Sequence, residues 1–187
     1  IDDSLINLLD HHRSHKDIIN FSNTQFYEDK LRIATNYDYL NLPEKEVTGI
    51  RWVDVNGKTR RHNQGGSINE IEARAVVKEI ERLVITNNYI GTVGVVTPFR
   101  QQASMIREMT MSNKMLSERL VKQDFLVDTA HRFQGDEKDV MIFSPVYSDG
   151  IASGSISFLQ NQGNIFNVAI TRARAQLIVV GDLNMCS

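Results

Sequence analysis

Three stretches of this chain are apolar almost without a break. Residues 92–97 (Thr-Val-Gly-Val-Val-Thr), 140–144 (Val-Met-Ile-Phe-Ser) and 177–181 (Leu-Ile-Val-Val-Gly) carry no polar alternation. A strand with one wet face would alternate, so the pattern predicts strands covered on both sides. Residues 124–129 read as a further short strand. Between these runs the period changes to that of a helix. Over 14–27, Ile18 and Phe21 lie three residues apart and Ile19 and Phe26 seven, spacings of one helical face, with Ser14 as the expected N-cap and Asp17 at N3. Ser67 to Glu70 has the form of a capping box. It precedes an apolar face of Ile68, Ile71, Ala75, Val76, Ile80, Leu83 and Val84, which predicts a helix to about residue 86. Pro98 suits a first helical position, giving a helix over 98–109, and 164–174 reads as another. Residues 50–55 alternate and run into Asn56-Gly57, a hairpin-type turn. A small β-hairpin insertion around 50–62 is expected there. Buried strands alternating with helices predict an α/β domain with a mostly parallel sheet flanked by helices.

Composition narrows the class. The 187 residues suit one domain, and 41% hydrophobic with 24% charged residues suits a folded chain. No apolar run reaches the roughly 18–20 residues of a membrane span, and no membrane partner is expected. One cysteine, Cys186, leaves no internal disulfide framework and points to a reducing, cytoplasmic setting. The net charge of −2 argues against a wholly basic nucleic-acid wrapper, yet it permits a local basic track. The chain opens on Ile1-Asp2-Asp3 without a Met. It is read as one domain, residues 1–187, of a longer protein.

The chemistry lies in four segments. They are residues 11–19 (His-His-Arg-Ser-His-Lys-Asp-Ile-Ile), 95–102 (Val-Val-Thr-Pro-Phe-Arg-Gln-Gln), 127–140 (Val-Asp-Thr-Ala-His-Arg-Phe-Gln-Gly-Asp-Glu-Lys-Asp-Val) and 167–174 (Asn-Val-Ala-Ile-Thr-Arg-Ala-Arg). In this order they resemble the closing motifs of superfamily 1 DNA/RNA helicases, in the branch of the RNA-surveillance helicases. The sequence holds no Gly-x-x-x-x-Gly-Lys-Ser/Thr loop and no acidic pair after an apolar strand to hold a nucleotide's magnesium. The resemblance explains that absence. Such helicases bind ATP and Mg2+ between two RecA-like, P-loop NTPase-type domains, and this chain is similar to the second. The first, an N-terminal RecA-like domain of the same chain, would carry the phosphate loop. The implied fold is a three-layer RecA-like α/β domain. The implied partner is single-stranded nucleic acid, DNA or RNA.

The resemblance also implies roles. Arg172 matches the arginine that reaches the γ-phosphate, and Arg13 the second phosphate-contacting arginine. An arginine suits this task because its planar, permanently charged fork binds phosphate bidentately. His12 stands where the family usually has the Tyr that stacks on adenine, and Gln134, Gly135 and Glu137 fall in a nucleotide-contacting segment. Thr97, Pro98, Thr129 and His131 match the single-strand track. The bland alternatives are surface ion pairs for the arginines, helix caps for the threonines and an exposed turn carboxylate for Glu137. A metal cluster of His11, His12 and His15 is a further alternative, although no second ligand group with zinc spacing follows. Arg51, Arg60, Arg61 and His62 read as a solvated basic hairpin, with phosphate contact as the other reading. At the level of function, the motor half of an ATP-dependent helicase stands against a nucleic-acid-binding module that has lost ATPase activity, and against a scaffold domain with only the fold.

Overall fold

The structure is a computed structural model that describes residues 10–43, 46, 48–133, 136–161 and 164–186, with His131 and Asn164 described for the backbone alone. In chain order the elements begin with β1 (Asp10–His11), α1 (Lys16–Phe26), β2 (Arg32–Ile33), β3 (Gly49–Asp54), β4 (Arg60–Arg61), β5 (Ser67–Ile68) and α2 (Glu70–Glu81). There follow β6 (Val93–Thr97), α3 (Arg100–Ser112), α4 (Lys114–Leu120), β7 (Leu126–Thr129) and β8 (Lys138–Phe143). The last are α5 (Ser153–Asn161), α6 (Asn164–Arg172), β9 (Ala173–Gly181) and α7 (Leu183–Cys186). Five strands form the central sheet in the order β3-β9-β8-β6-β7, and every pairing in it is parallel.

The apolar strands divide their side chains between two cores, because successive residues of a strand face opposite sides. Val93, Val95, Val140, Ile142, Ile178 and Val180 pack with Ala73, Val76 and Ile80 of α2, Ile106 of α3 and Leu116 of α4. Val96, Met141, Phe143, Leu177 and Val179 pack on the other face with Ile18 of α1 and Ile165, Ala169 and Ile170 of α6. The result is the expected three-layer, RecA-like α/β sandwich.

Element starts differ from expectation wherever a tertiary contact claims the expected cap. Ser14 does not cap α1. Its N–H donates to His11 Nε2 at 2.9 Å and its carbonyl accepts from Thr35 Oγ1 at 2.8 Å, so the cap passes to His15, whose Nδ1 accepts from Asp17 N. Ser67 and Ile68 pair antiparallel with Arg60 and Arg61, which moves the α2 cap to Asn69. Pro98 is not the first residue of a helix: α3 opens at Arg100, after an extended Phe99. The hairpin around 50–62 is likewise corrected. Gly49–Asp54 is an edge strand of the main sheet, pairing parallel with β9, and the small antiparallel pair is β4 with β5. A local Asn-Gly signal cannot report this long-range pairing. Finally, β9 begins at Ala173, opposite Lys138, so Arg174 belongs to a strand and not to the preceding helix.

A buried polar network organises the carboxyl ends of the strands. Asn69 Oδ1 accepts from Glu72 N at 3.1 Å, capping α2, and Asn69 N donates to Gln102 Oε1 of α3 at 2.9 Å. The carboxylate of Glu72 is fully buried and accepts from Ser144 Oγ at 2.5 Å and from Val146 N at 2.9 Å. Val146 is β-branched yet has φ +58°, a strained value that persists only where its surroundings hold it. Glu72 holds its N–H, and Thr59 Oγ1 donates to its carbonyl at 3.1 Å.

Burial pushes the Glu72 carboxyl from its ordinary 4.5 up to about 7; the nearby Asp182 charge adds to this, and the bonds from Ser144 and Val146 oppose it. The folded state therefore holds a proton that the unfolded state has released between these values. Stability from this group is complete below pH 4.5 and is lost as pH rises through about 7, a fall of about 3 kcal/mol at 1.36 kcal/mol per unit. Thermal unfolding followed by circular dichroism should show the wild-type Tm falling between about pH 5 and 8 relative to Glu72→Gln. Parallel profiles for the two proteins would refute this.

Candidate functional site

The amino ends of β8 and β9 form one side of a cavity of about 530 Å³, lined by Asp10, His11, His12, Arg13, Glu137 and Arg174. The chain reaches it through β1, which pairs parallel with β2, and through the turn before α1. His15 N donates to the Arg174 carbonyl at 2.8 Å, locking that turn onto the first residues of β9. Arg13 and Glu137, distant in sequence, are ion-paired across the cavity. Arg174 Nη1 lies 3.7 Å from the buried Asp139 carboxylate. Two half-exposed guanidinium groups and a carboxylate thus share one opening.

The three histidines do not converge on a common point. His12 Nδ1 donates to the Ala34 carbonyl at 3.2 Å, His11 Nε2 accepts from Ser14 N, and His15 caps α1. Among the described residues, no group of three or more His, Cys, Asp or Glu could hold a metal ion. Arg172 closes α6, half-buried, and its Nε is enclosed without a hydrogen-bond partner. It is not among the residues lining the cavity. Gln134 and Gly135 lie outside the described residues.

The opposite end of the sheet carries a larger groove of about 960 Å³. Pro98, Thr129 and Ala130 line it where β6 and β7 end, and Arg100 and Arg107 of α3 and Arg132 add positive charge. The Asp128 carboxylate lies 3.6 Å from both Arg107 and Arg132. Phe99 and Phe158 meet on its wall with ring centroids 5.5 Å apart. Thr129 Oγ1 lies 3.5 Å from its neighbour's carboxylate, and Thr97 lies fully buried beneath the groove with Oγ1 unpartnered. The Thr97 hydroxyl therefore caps no helix. Of the residues expected on a strand track, Pro98 and Thr129 are brought together, largely buried, in the groove lining, Thr97 is not among the lining residues, and the side chain of His131 lies outside the description.

A family model described as an AAA domain matches residues 2–184. The chain belongs to this family, as a superfamily 1 helicase-like domain. It is 31% identical over 184 residues to Helicase sen1 of Schizosaccharomyces pombe, covering 92% of the chain and 10% of that protein. It is 29% identical to the putative helicase mov-10-B.1 of Danio rerio, covering 94% and 19%. It is 28% identical to the DNA polymerase alpha-associated DNA helicase A of Saccharomyces cerevisiae, covering 93% and 27%. The chain therefore spans between a tenth and about a quarter of the length of these relatives. Among the described residues, no helix is long and apolar enough to cross a membrane.

Sequence reasoning missed several groups of this helicase-like domain. Arg174 stood in a quoted motif, but its assignment to a helix hid that it faces the same cavity as Arg13. Arg132 likewise stood in a quoted motif without a role of its own, and Arg107 carried only the general signal of scattered basic residues. Phe158 carried none, because the Ser/Gly-rich stretch before it has no helical periodicity.

His11 gives a local test of the amino-end geometry. Burial, with Arg13 and His12 adding to it, lowers its pKa below the ordinary 6.5. Its neutral ring is what accepts the Ser14 N–H. The unfolded chain binds the proton first, so stability from this group is complete above pH 6.5 and is lost as pH falls below it. An NMR titration of the His11 ring should give a midpoint under 6.5. A midpoint at or above that value would mean that the ring is not held as described.

Proposed function

We propose that the chain is the second RecA-like motor domain of an ATP-dependent superfamily 1 DNA or RNA helicase or translocase. The observation that carries this reading is the cavity where Arg13, Glu137 and Arg174 meet, at the end of the sheet opposite a basic groove. Two guanidinium groups in one opening suit a polyphosphate, since each offers a planar fork of donors. The phosphates of ATP would compete with Glu137 for Arg13. Glu137 would then turn to a ribose hydroxyl, and the exposed His12 ring would stack on a base. Arg172 is the finger of this reading, held on the rigid end of α6 with Arg174 two residues beyond it.

With no metal-ligand cluster among the described residues, Mg2+ would be held by the triphosphate and by an N-terminal RecA-like domain of the same protein. The hydrolysable phosphoanhydride is what bound ATP contributes. This chain's residues bind and orient it and neutralise its developing charge, which is most of what phosphoryl transfer requires of a protein. At the other end, single-stranded nucleic acid would lie along Pro98, Thr129 and His131, above Thr97. Arg100, Arg107 and Arg132 would meet its phosphates. A translocating motor must grip what every nucleotide shares, and that is the sugar–phosphate backbone.

Nucleic-acid-stimulated ATP hydrolysis by the complete protein tests this. Arg172→Ala and Arg13→Ala should each lower it steeply, by about 10³–10⁵-fold for the finger, the range known for arginine fingers. Arg172→Lys should restore little, because a point charge does not replace the fork. Stimulated turnover near wild type in Arg172→Ala would overturn the assignment. The 187-residue chain alone should fold and hydrolyse no ATP.

A further inference from the structure

A second cavity, of about 470 Å³, opens beside the basic groove. It shares Gly66, Phe99 and Phe158 with the groove, so the two phenylalanines form a common wall. The rings are tilted by 38°, and their exposures differ: Phe99 is 6% exposed and Phe158 is 39% exposed. Phe99 is thus the fixed backing, and Phe158 offers an open aromatic surface. The helix that presents it, α5, has no buried residue. It is joined to β5 by a 2.7 Å bond between Ser67 Oγ and Ser155 Oγ. The rest of the cavity is lined by small residues, Ala152, Ser153, Gly154 and Ser155, and by Arg61. A Cβ on Gly154 would touch nothing within 4 Å, so the space above this backbone is open. Arg61 is exposed, as is Arg60 beside it.

The combination is specific in its chemistry. An exposed aromatic ring, a floor of small residues and a lone arginine at the rim suit a flat, electron-rich ring carrying a phosphate. The volume lies within the ~300–1,000 Å³ of small-molecule sites. The approach is through a groove lined by Arg100, Arg107 and Arg132, where Asp128, the one lining carboxylate among the described residues, lies close to two of those arginines. Charge complementarity therefore favours a polyanion as the occupant.

We propose that this second cavity is a stacking subsite, in which one base of a bound single strand turns out of the groove onto Phe158 while Arg61 meets its phosphate. The inference rests on the groove being a single-strand track. It adds one base contact to a path otherwise made to backbone. Every base has a π face, so the contact anchors the strand without reading its sequence.

The test uses the complete protein and single-stranded oligonucleotides carrying 2-aminopurine at successive positions. One position should change its fluorescence on binding. In Phe158→Ala that change should disappear and affinity should fall about tenfold, as for loss of one stacked base. Phe158→Tyr should keep both, which separates stacking from a folding defect. Arg61→Ser should lower the slope of affinity against salt by about one phosphate, leaving the fluorescent position unchanged. Tight strand binding that is indifferent to Phe158→Ala would overturn the subsite and leave the track standing. Failure of the wild-type protein to bind any single strand would overturn the track, and the subsite with it.

Discussion

All five strands of the main sheet run the same way, the inner three, β6, β8 and β9, are buried almost throughout, and the placement of the chemistry follows from that constraint. Each strand must return over the sheet before the next begins, so loops collect at two separate ends. The carboxyl ends of β6 and β7 open into the basic groove, and the amino ends of β8 and β9 open into the arginine cavity. The shortest return in the sheet runs from Thr129 to Lys138. It leaves the groove at Thr129, passes Phe133, fully buried among Val96 and Met141, and delivers Glu137 to the cavity. A strand end at one site and an ion-pair partner at the other are thereby close neighbours in sequence. Their separation in space is about one strand length.

The groove depends in turn on a carboxyl group that never meets solvent. Glu72 and Asn69 fix the start of α2, and Gln102 binds both Asn69 and Ser144. Gln102 lies in the first turn of α3, the helix that presents Arg100 and Arg107 to the groove. An apolar plug could fill the same volume. It would not set the rotation of α3, because only directional bonds distinguish one register of that helix from the next. The raised pKa of Glu72 is the cost of this arrangement, and the strained turn at Val146 is held by it.

The legible parts of this fold are those decided by composition over several residues. The apolar stretches of β6, β8 and β9, residues 93–97, 140–143 and 177–181, announced themselves because a sheet wet on neither face needs unbroken apolar runs. Helix starts were displaced by one or two residues: Ser14 and Ser67 are claimed by contacts that a local pattern does not contain, and Phe99 after Pro98 is extended. The edge strand at 49–54 reads locally as a hairpin arm for the same reason: its partner is more than a hundred residues away. The candidate site was legible only through motif order. Nothing local in the sequence says that Arg13 meets Glu137, and no periodicity marks Phe158, whose helix buries no residue. Arg174 was visible as a residue but not as a neighbour, because α6 ends at Arg172, two residues before the expected helix end at 174.

That boundary has a dynamic consequence. Arg172 ends α6 and Ala173 begins β9 with no loop between them. β9 is bonded on both edges, to β3 and to β8, along most of its length. Interior strands of this kind are the last to open in native-state hydrogen exchange. The arginines at residues 172 and 174 are therefore mounted on the slowest-opening part of the molecule, with the backbone entropy of holding them lost once, at folding, and not again at each encounter. Any motion that brings them to a ligand must be carried by the domain as a rigid body, because the junction leaves no hinge of its own.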